Sequence, residues 1–204
     1  MESAARVLSS SVYYHRVARE PTARSEVRVG QQSFQIRTLE AIGVREIRGL
    51  AEVLLDCVHG GASVSFMLPM TLAKAEAFWR SSAESVARGE RIVLGAEEAD
   101  GTIIGTVSII LAQPENQPHR ADVAKMLVHR SARRQGVGAA LIAAAERTAL
   151  SIGKTLLVLD TVTGGEAGRL YARHGWQACG QIPNYALWPD GRPCATTVLY
   201  KALR

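Results

Sequence analysis

The sequence predicts an α/β fold of the α+β kind, a mixed central sheet flanked by helices. Three observations predict it. The chain has 204 residues, 47% of them hydrophobic, which is enough to bury one core and short for two. Strand-like runs, apolar at every second position or throughout, alternate with runs whose apolar residues recur three and four apart. The helix-like runs stop at glycines, which suit the left-handed position that closes a helix.

FQIRTL (34–39) alternates as a short strand. From Ile47 the residues Leu50, Leu54, Cys57 and Val58 recur at helical spacing, and Gly60-Gly61 end that helix. Thr71 is a good N-cap for a second helix that runs to Arg88 and closes on Gly89. RIVLGAEE (91–98) and TIIGTVSIIL (102–111) flank Asp100-Gly101, a strong hairpin signal. PENQPH (114–119) is a loop. In ADVAKMLV (121–128) strict alternation puts Val123, Lys125 and Leu127 on one face and Asp122, Ala124, Met126 and Val128 on the other. A helix follows from Val137 to Ile152, then the buried-type strand TLLVLDT (155–161) and a short helix over EAGRLYARHG (166–175). WQACGQIP (176–183) and ATTVLYKAL (195–203) are the last strands, joined through the turn chemistry of WPDG (188–191). The expected order is β-α-α-β-β-β-α-β-α-β-β. Residues 34–204 form one domain, and 1–33, rich in Arg, Ser and Glu, read as a flexible N-terminal extension.

The net charge is +5, which suits an anionic small molecule as well as a nucleic acid. Only 5% of the residues are aromatic and Arg133-Arg134 is an isolated pair, so nucleic acid is not expected as a partner. No apolar run is long enough to cross a membrane, and none is expected as a partner either. Cys57, Cys179 and Cys194 are far apart without a C-x-x-C pair. They read as small buried residues in a reducing cytoplasm, with no disulfide framework and no metal site. The sequence leaves the oligomeric state open.

ARRQGVGAAL (132–141) joins the end of a strand to the start of a helix. A helix N-terminus has unpaired N–H groups and partial positive charge, and glycines let the main chain approach an anion. The stretch is not a Walker loop, since no Gly-Lys-Ser/Thr follows, and Leu141 stands where a dinucleotide fingerprint needs its third glycine. The plain alternative is a glycine turn with surface arginines.

Together with the strand before it, Arg133-Arg134-Gln135-Gly136-Val137-Gly138 is similar to the central motif of the GNAT N-acetyltransferases. The family's later landmark, a strand and then a short helix ending in Tyr and Gly-aromatic, is matched by TLLVLDT and LYARHGW (170–176). The resemblance covers about residues 34–203. It implies the GNAT fold and direct transfer of acetyl from acetyl-CoA to an amine in a ternary complex, without a metal. Cofactor contacts fall on Met126, Leu127 and Val128 for the thioester arm, and on Arg133, Arg134, Gln135, Gly136, Val137, Gly138 and Ala139 for the diphosphate. Tyr171 is the implied general acid; a satisfied core tyrosine is the alternative. VHGGASVSFM (58–67), RADVAKMLV (120–128) and LVLDT (157–161) are similar to members that acetylate amino-acid-like toxins such as tabtoxinine-β-lactam.

That similarity makes Asp122 and Asp160 the carboxylates that take the acceptor's proton, although the pattern carries a glutamate where Asp122 stands. A charge inside TLLVLDT is costly unless it is paired or functional, and capping the next helix is the other reading of Asp160. His59, Gly60, Gly61, Ala62 and Ser63 read as the substrate loop, where small residues admit a compact amine; His59 could instead cap its helix. The expected acceptor is a small-molecule amine. Two alternatives stay open: another acceptor (an aminoglycoside, a polyamine or a protein N-terminus), and a non-catalytic acetyl-CoA sensor.

Overall fold

The computed structural model describes residues 26–29 and 32–204. Its elements are β1 (Glu26–Val29), β2 (Gln32–Thr38), α1 (Val44–His59), α2 (Leu72–Ala87), β3 (Arg91–Glu98), β4 (Ile103–Ile110), β5 (Arg120–Val128), α3 (Val137–Ser151), β6 (Leu156–Val162), α4 (Glu166–Arg173), β7 (Gln177–Leu187) and β8 (Pro193–Ala202). The eight strands among the described residues make one sheet in the order β1-β2-β3-β4-β5-β6-β8-β7. Only β5 and β6 run parallel in it, so the sheet is mixed, as expected.

The extension expected over 1–33 lies outside the described residues as far as residue 25. Beyond that the sheet already begins: β1 pairs with β2 from Glu26↔Gln35 to Val29↔Gln32. Four residues, EVRV, are too few to carry a readable alternation.

The expected caps close the expected helices. The Gly61 N–H donates to Val58 O and the Ala62 N–H to Cys57 O, with Gly61 at φ +84°, which is a Schellman end to α1. Thr71 Oγ1 accepts from the Lys74 N–H at the start of α2. Asp100 Oδ1 accepts from the Thr102 N–H in the β3–β4 turn.

Each face of the sheet carries its own core. Leu94, Ile109, Val123, Leu157 and Leu159 pack with Val137, Leu141 and Ile142 of α3 and Tyr171 of α4. Val93, Ile103 and Leu127 pack on the other face with Leu50 and Leu54 of α1 and Trp79 of α2. Each fully buried side chain of this size contributes about 1.5–3 kcal/mol.

Val123 and Leu127 therefore lie in different cores, which corrects the strict alternation expected for β5. Leu127 pairs with Thr106 but Ala124 with Ser108, so Lys125 and Met126 together oppose Val107. This is a β-bulge, and Lys125 takes it up with φ +51°. At the far edge β7 runs on to Leu187, past the expected end at residue 183. Its register shifts between Ile182 and Ala186, where Asn184 has φ +52°. Cys57 and Cys194 are buried, but Cys179 is exposed, because the edge strand β7 is open to solvent on both faces along most of its length and has no neighbour beyond it.

Candidate active site

The turn before α3 has the properties of an anion cradle. Arg130–Ala132 forms a single 3-10 turn, Arg134 takes φ +61° and Gly136 φ +84° as the N-cap of α3. No side chain caps this helix, and its first intrahelical bond runs from the Ala140 N–H to Gly136 O. The N–H groups of Val137, Gly138 and Ala139 are therefore free of helix partners and suit phosphate oxygens. A Cβ on Gly138 would come within 3.1 Å of Leu170 Cδ2, so α4 packs against the turn at this point.

The side chains of the motif divide. Arg134 is 88% exposed and pairs with Glu166 at 3.3 Å, free to swing toward a diphosphate. Gln135 donates to Ser131 O at 2.8 Å. Arg133 turns away from the helix end: its Nε donates to Val128 O at 3.3 Å and its Nη2 lies 4.0 Å from Cys57 Sγ. In this position the Arg133 side chain braces β5 against α1.

Next to the cradle, β5 and β6 part. Their pairing runs from Arg120↔Leu156 to Asp122↔Val158 and stops, while β5 continues to Val128 and β6 to Val162. The edge of β5 at Met126–Val128 faces this gap without a strand partner, as an extended thioester arm requires. Met126 and Val128 lean on the α3-side core and Leu127 on the other.

Along β6, Leu157 and Leu159 belong to the α3-side core, so alternation points Val158 and Asp160 to the opposite face. Asp160 Oδ2 accepts from Thr196 Oγ1 at 3.0 Å, and Thr196 is buried on β8. The N-cap of α4 is Gly165, so Asp160 does not cap that helix. Tyr171 is buried with its ring centroid 5.6 Å from that of Trp176. Burial, with a further push from the nearby Asp160 charge, holds its phenol well above the usual tyrosine range. Such a group stays protonated and can donate. Asp122 differs: Arg120 Nη1 bonds its Oδ1, and Gln113 Nε2 donates to its Oδ2 at 2.9 Å. Both oxygens are engaged at the start of β5, so the two expected carboxylates do not form one symmetric pair.

The loop expected to bind substrate is anchored from three sides. His59 closes α1 and its Nε2 lies 3.1 Å from Met70 O, which makes it a tie across the loop. Ser63 Oγ donates to Leu187 O at 2.8 Å. A Cβ at Gly60 would stand 3.0 Å from Arg130 Cδ, so the loop's start presses on the turn after β5. Asp56 fixes that contact, accepting from the Arg130 N–H and Nε at 2.8 Å each. Burial pushes the Asp56 carboxyl up, but the Arg130 hydrogen bonds and the His129 and Arg130 charges outweigh it and hold the group below its ordinary value.

Sequence reasoning missed Lys125. The bulge turns it to the face of α2, where its ammonium donates to Ser65 Oγ at 3.2 Å and lies 5.6 Å from the Phe78 ring centroid. Alternation set Lys125 on one face with Val123 and Leu127 without giving it a role, and the available signal was its place three residues before the strand end that meets the glycine turn. A separate groove of about 410 Å³ lies beside α4, lined by Thr161, Gly168, Arg169, Trp176 and Thr197 among others. None of the expected site residues lines it.

A helix end built for phosphate, beside two parting strands and a protonated tyrosine, defines an enzyme that handles a phosphate-bearing acyl carrier. Residues 66–176 match the acetyltransferase (GNAT) family. The chain belongs to that family, and it is an acetyl-CoA-dependent N-acetyltransferase with acetyl-CoA as its cosubstrate. Similar solved structures include a phosphinothricin acetyltransferase from Sinorhizobium meliloti in complex with acetyl-CoA, at 17% identity and TM-score 0.68, covering 83% of this chain and 88% of that one. A ribosomal-protein-alanine N-acetyltransferase from Brucella melitensis matches at 22% and 0.67, covering 82% and 99%. A GCN5-related N-acetyltransferase from Kribbella flavida matches at 21% and 0.68, covering 83% and 98%. At these identities the likeness establishes the fold. Among the described residues no cluster of three or more metal-ligating side chains occurs, and no helix is long and apolar enough to cross a membrane.

Proposed function

We propose that the protein acetylates the amine of a small amino-acid-like compound by direct transfer, with tabtoxinine-β-lactam as the specific candidate. It would thereby act as a toxin-resistance enzyme of the cytoplasm, akin to the tabtoxin resistance protein. The observation that carries this reading is Asp160: a strand carboxylate on the face away from the α3-side core, held by Thr196 and close enough for its charge to act on Tyr171.

Bound acetyl-CoA supplies an activated acetyl thioester. The N–H groups of Val137, Gly138 and Ala139, with Gly136, Gln135 and Arg134, hold its diphosphate, and the free edge at Met126, Leu127 and Val128 aligns its arm. One amide of that edge also faces the negative charge that develops on the acetyl oxygen. Asp160 binds the acceptor's ammonium and receives its proton. Tyr171 keeps a proton for the departing sulfur. Asp122 supports the site through its charge rather than by taking the proton. The loop from His59 through Gly60, Gly61, Ala62 and Ser63 walls the acceptor side. Alignment of the two reactants provides much of the acceleration.

The test incubates the protein with acetyl-CoA and, separately, tabtoxinine-β-lactam, phosphinothricin, an aminoglycoside, a polyamine and a peptide with a free N-terminal alanine. Acetylated product is read by mass spectrometry. Faster product from the two amino-acid-like compounds supports the proposal. Preference for another amine overturns the acceptor class, and no turnover of any amine favours a sensor.

A further inference from the structure

The acceptor side of the sheet holds two cations that make no salt bridge among the described residues. Most of the described arginines meet a carboxylate: Arg37 and Arg45 share Glu97, Arg120 meets Asp122 and Arg130 meets Asp56. Arg91 and Lys125 are exceptions. Arg91 opens β3, and its Nε is buried with no hydrogen-bond partner. Lys125 has a neutral hydroxyl as its partner, Ser65 Oγ, and an aromatic face beneath it.

Both belong to the face of α1 and α2. Ile92 packs on the α3-side core, so Arg91 points the other way, and the bulge carries Lys125 to the same side. Burial pushes the Arg91 guanidinium down. Burial also pushes the Lys125 ammonium down; the Arg91 charge adds to this and the Asp160 charge opposes it. Two half-buried cations within reach of one another's field cost free energy that an anion between them would recover. Across the gap where β5 and β6 part stands Asp160, the one site carboxylate free of a cationic partner.

We propose that Lys125, supported by Arg91, binds an anionic group of the acceptor, so that the enzyme selects amines that also carry a carboxylate. The inference rests on the reading of Asp160 as the amine's partner. An amino acid then lies with its ammonium at Asp160 and its carboxylate at Lys125, and its amine is presented to the gap in one orientation. Phe66 and Phe78, whose ring centroids are 5.3 Å apart, form the apolar wall beside it. A polyamine would place positive charge against Lys125 and is disfavoured.

Steady-state acetylation of tabtoxinine-β-lactam and phosphinothricin, each beside its own carboxamide, tests this with wild type, Lys125→Met and Arg91→Gln. Lys125→Met is expected to raise KM for the acids about tenfold to a hundredfold, the loss of one charge-assisted bond, with KM for acetyl-CoA unchanged. Its KM for the carboxamides should rise clearly less than for the acids, because a neutral amide oxygen makes a bond to the ammonium without the ion-pair attraction. Arg91→Gln should give a smaller rise with the same selectivity for the acids, and it serves if Lys125→Met does not fold. Equal changes for acid and carboxamide, or none, overturn the inference and leave the acetyltransferase reading standing. Failure of wild type to acetylate either acid overturns the acceptor reading and this inference with it.

Discussion

Tyr171 shows how one side chain serves packing and chemistry together. Its ring packs on Trp176 in the α3-side core, while burial, helped by the Asp160 charge, keeps its hydroxyl protonated. Tyr171→Phe retains the packing and removes the proton. It is expected to lower kcat about 100-fold with little change in the melting temperature at neutral pH. The same burial has an alkaline signature. The folded phenol ionises above its unfolded value of about 10, so its stabilisation is complete below that pH and is lost as pH rises through the folded value. Melting curves from pH 8 upward should fall less steeply for Tyr171→Phe than for wild type. Equal slopes would mean that the hydroxyl is solvated in the folded protein.

At the scale of elements, the turn into α3 is the most demanding piece. Gly136 sits at φ +84°, a conformation that costs most L residues about 1–2 kcal/mol. Gly136→Asn tolerates the angle and should bind acetyl-CoA measurably by calorimetry. Gly136→Glu adds a charge beside the diphosphate and should abolish that binding; unchanged affinity would contradict the cradle.

These elements differ in how far the sequence reveals them. The helices were legible because their ends are written in short-range chemistry: Gly60-Gly61, Thr71 and Gly153 act through bonds within a few residues. The β3–β4 hairpin was legible for the same reason. The phosphate turn and the Asp160 strand stood out because glycines and a charge in an apolar run break a pattern. The bulge at Lys125 and Met126 was not legible, because it depends on which β4 residue each meets, a choice made by two cores at once. Lys125 was missed with it, and so was the outward turn of Cys179, since no local signal marks an edge strand.

In the molecule as a whole, the sheet separates two tasks. The α3-side core carries the turn into α3 and the tyrosine, and the α1–α2 core carries the loop after α1 and Phe78. Trp79 anchors the second core: it is fully buried and its ring lies 5.0 Å from that of Phe78. Trp79→Ala is expected to cost about 3–5 kcal/mol of stability and, in the folded fraction, to raise KM for the acceptor alone. A matching loss of acetyl-CoA affinity would show that the two sides are not independent.

The two sides meet where β5 and β6 part, and Asp160 stands there. The steady-state comparison of Asp160→Asn with wild type is therefore the most direct measurement. The amide keeps a partner for Thr196 but cannot take a proton, so kcat should fall by about 100-fold or more while KM for acetyl-CoA stays put. A kcat close to that of wild type would make Asp160 a structural residue and would contradict direct transfer at this gap.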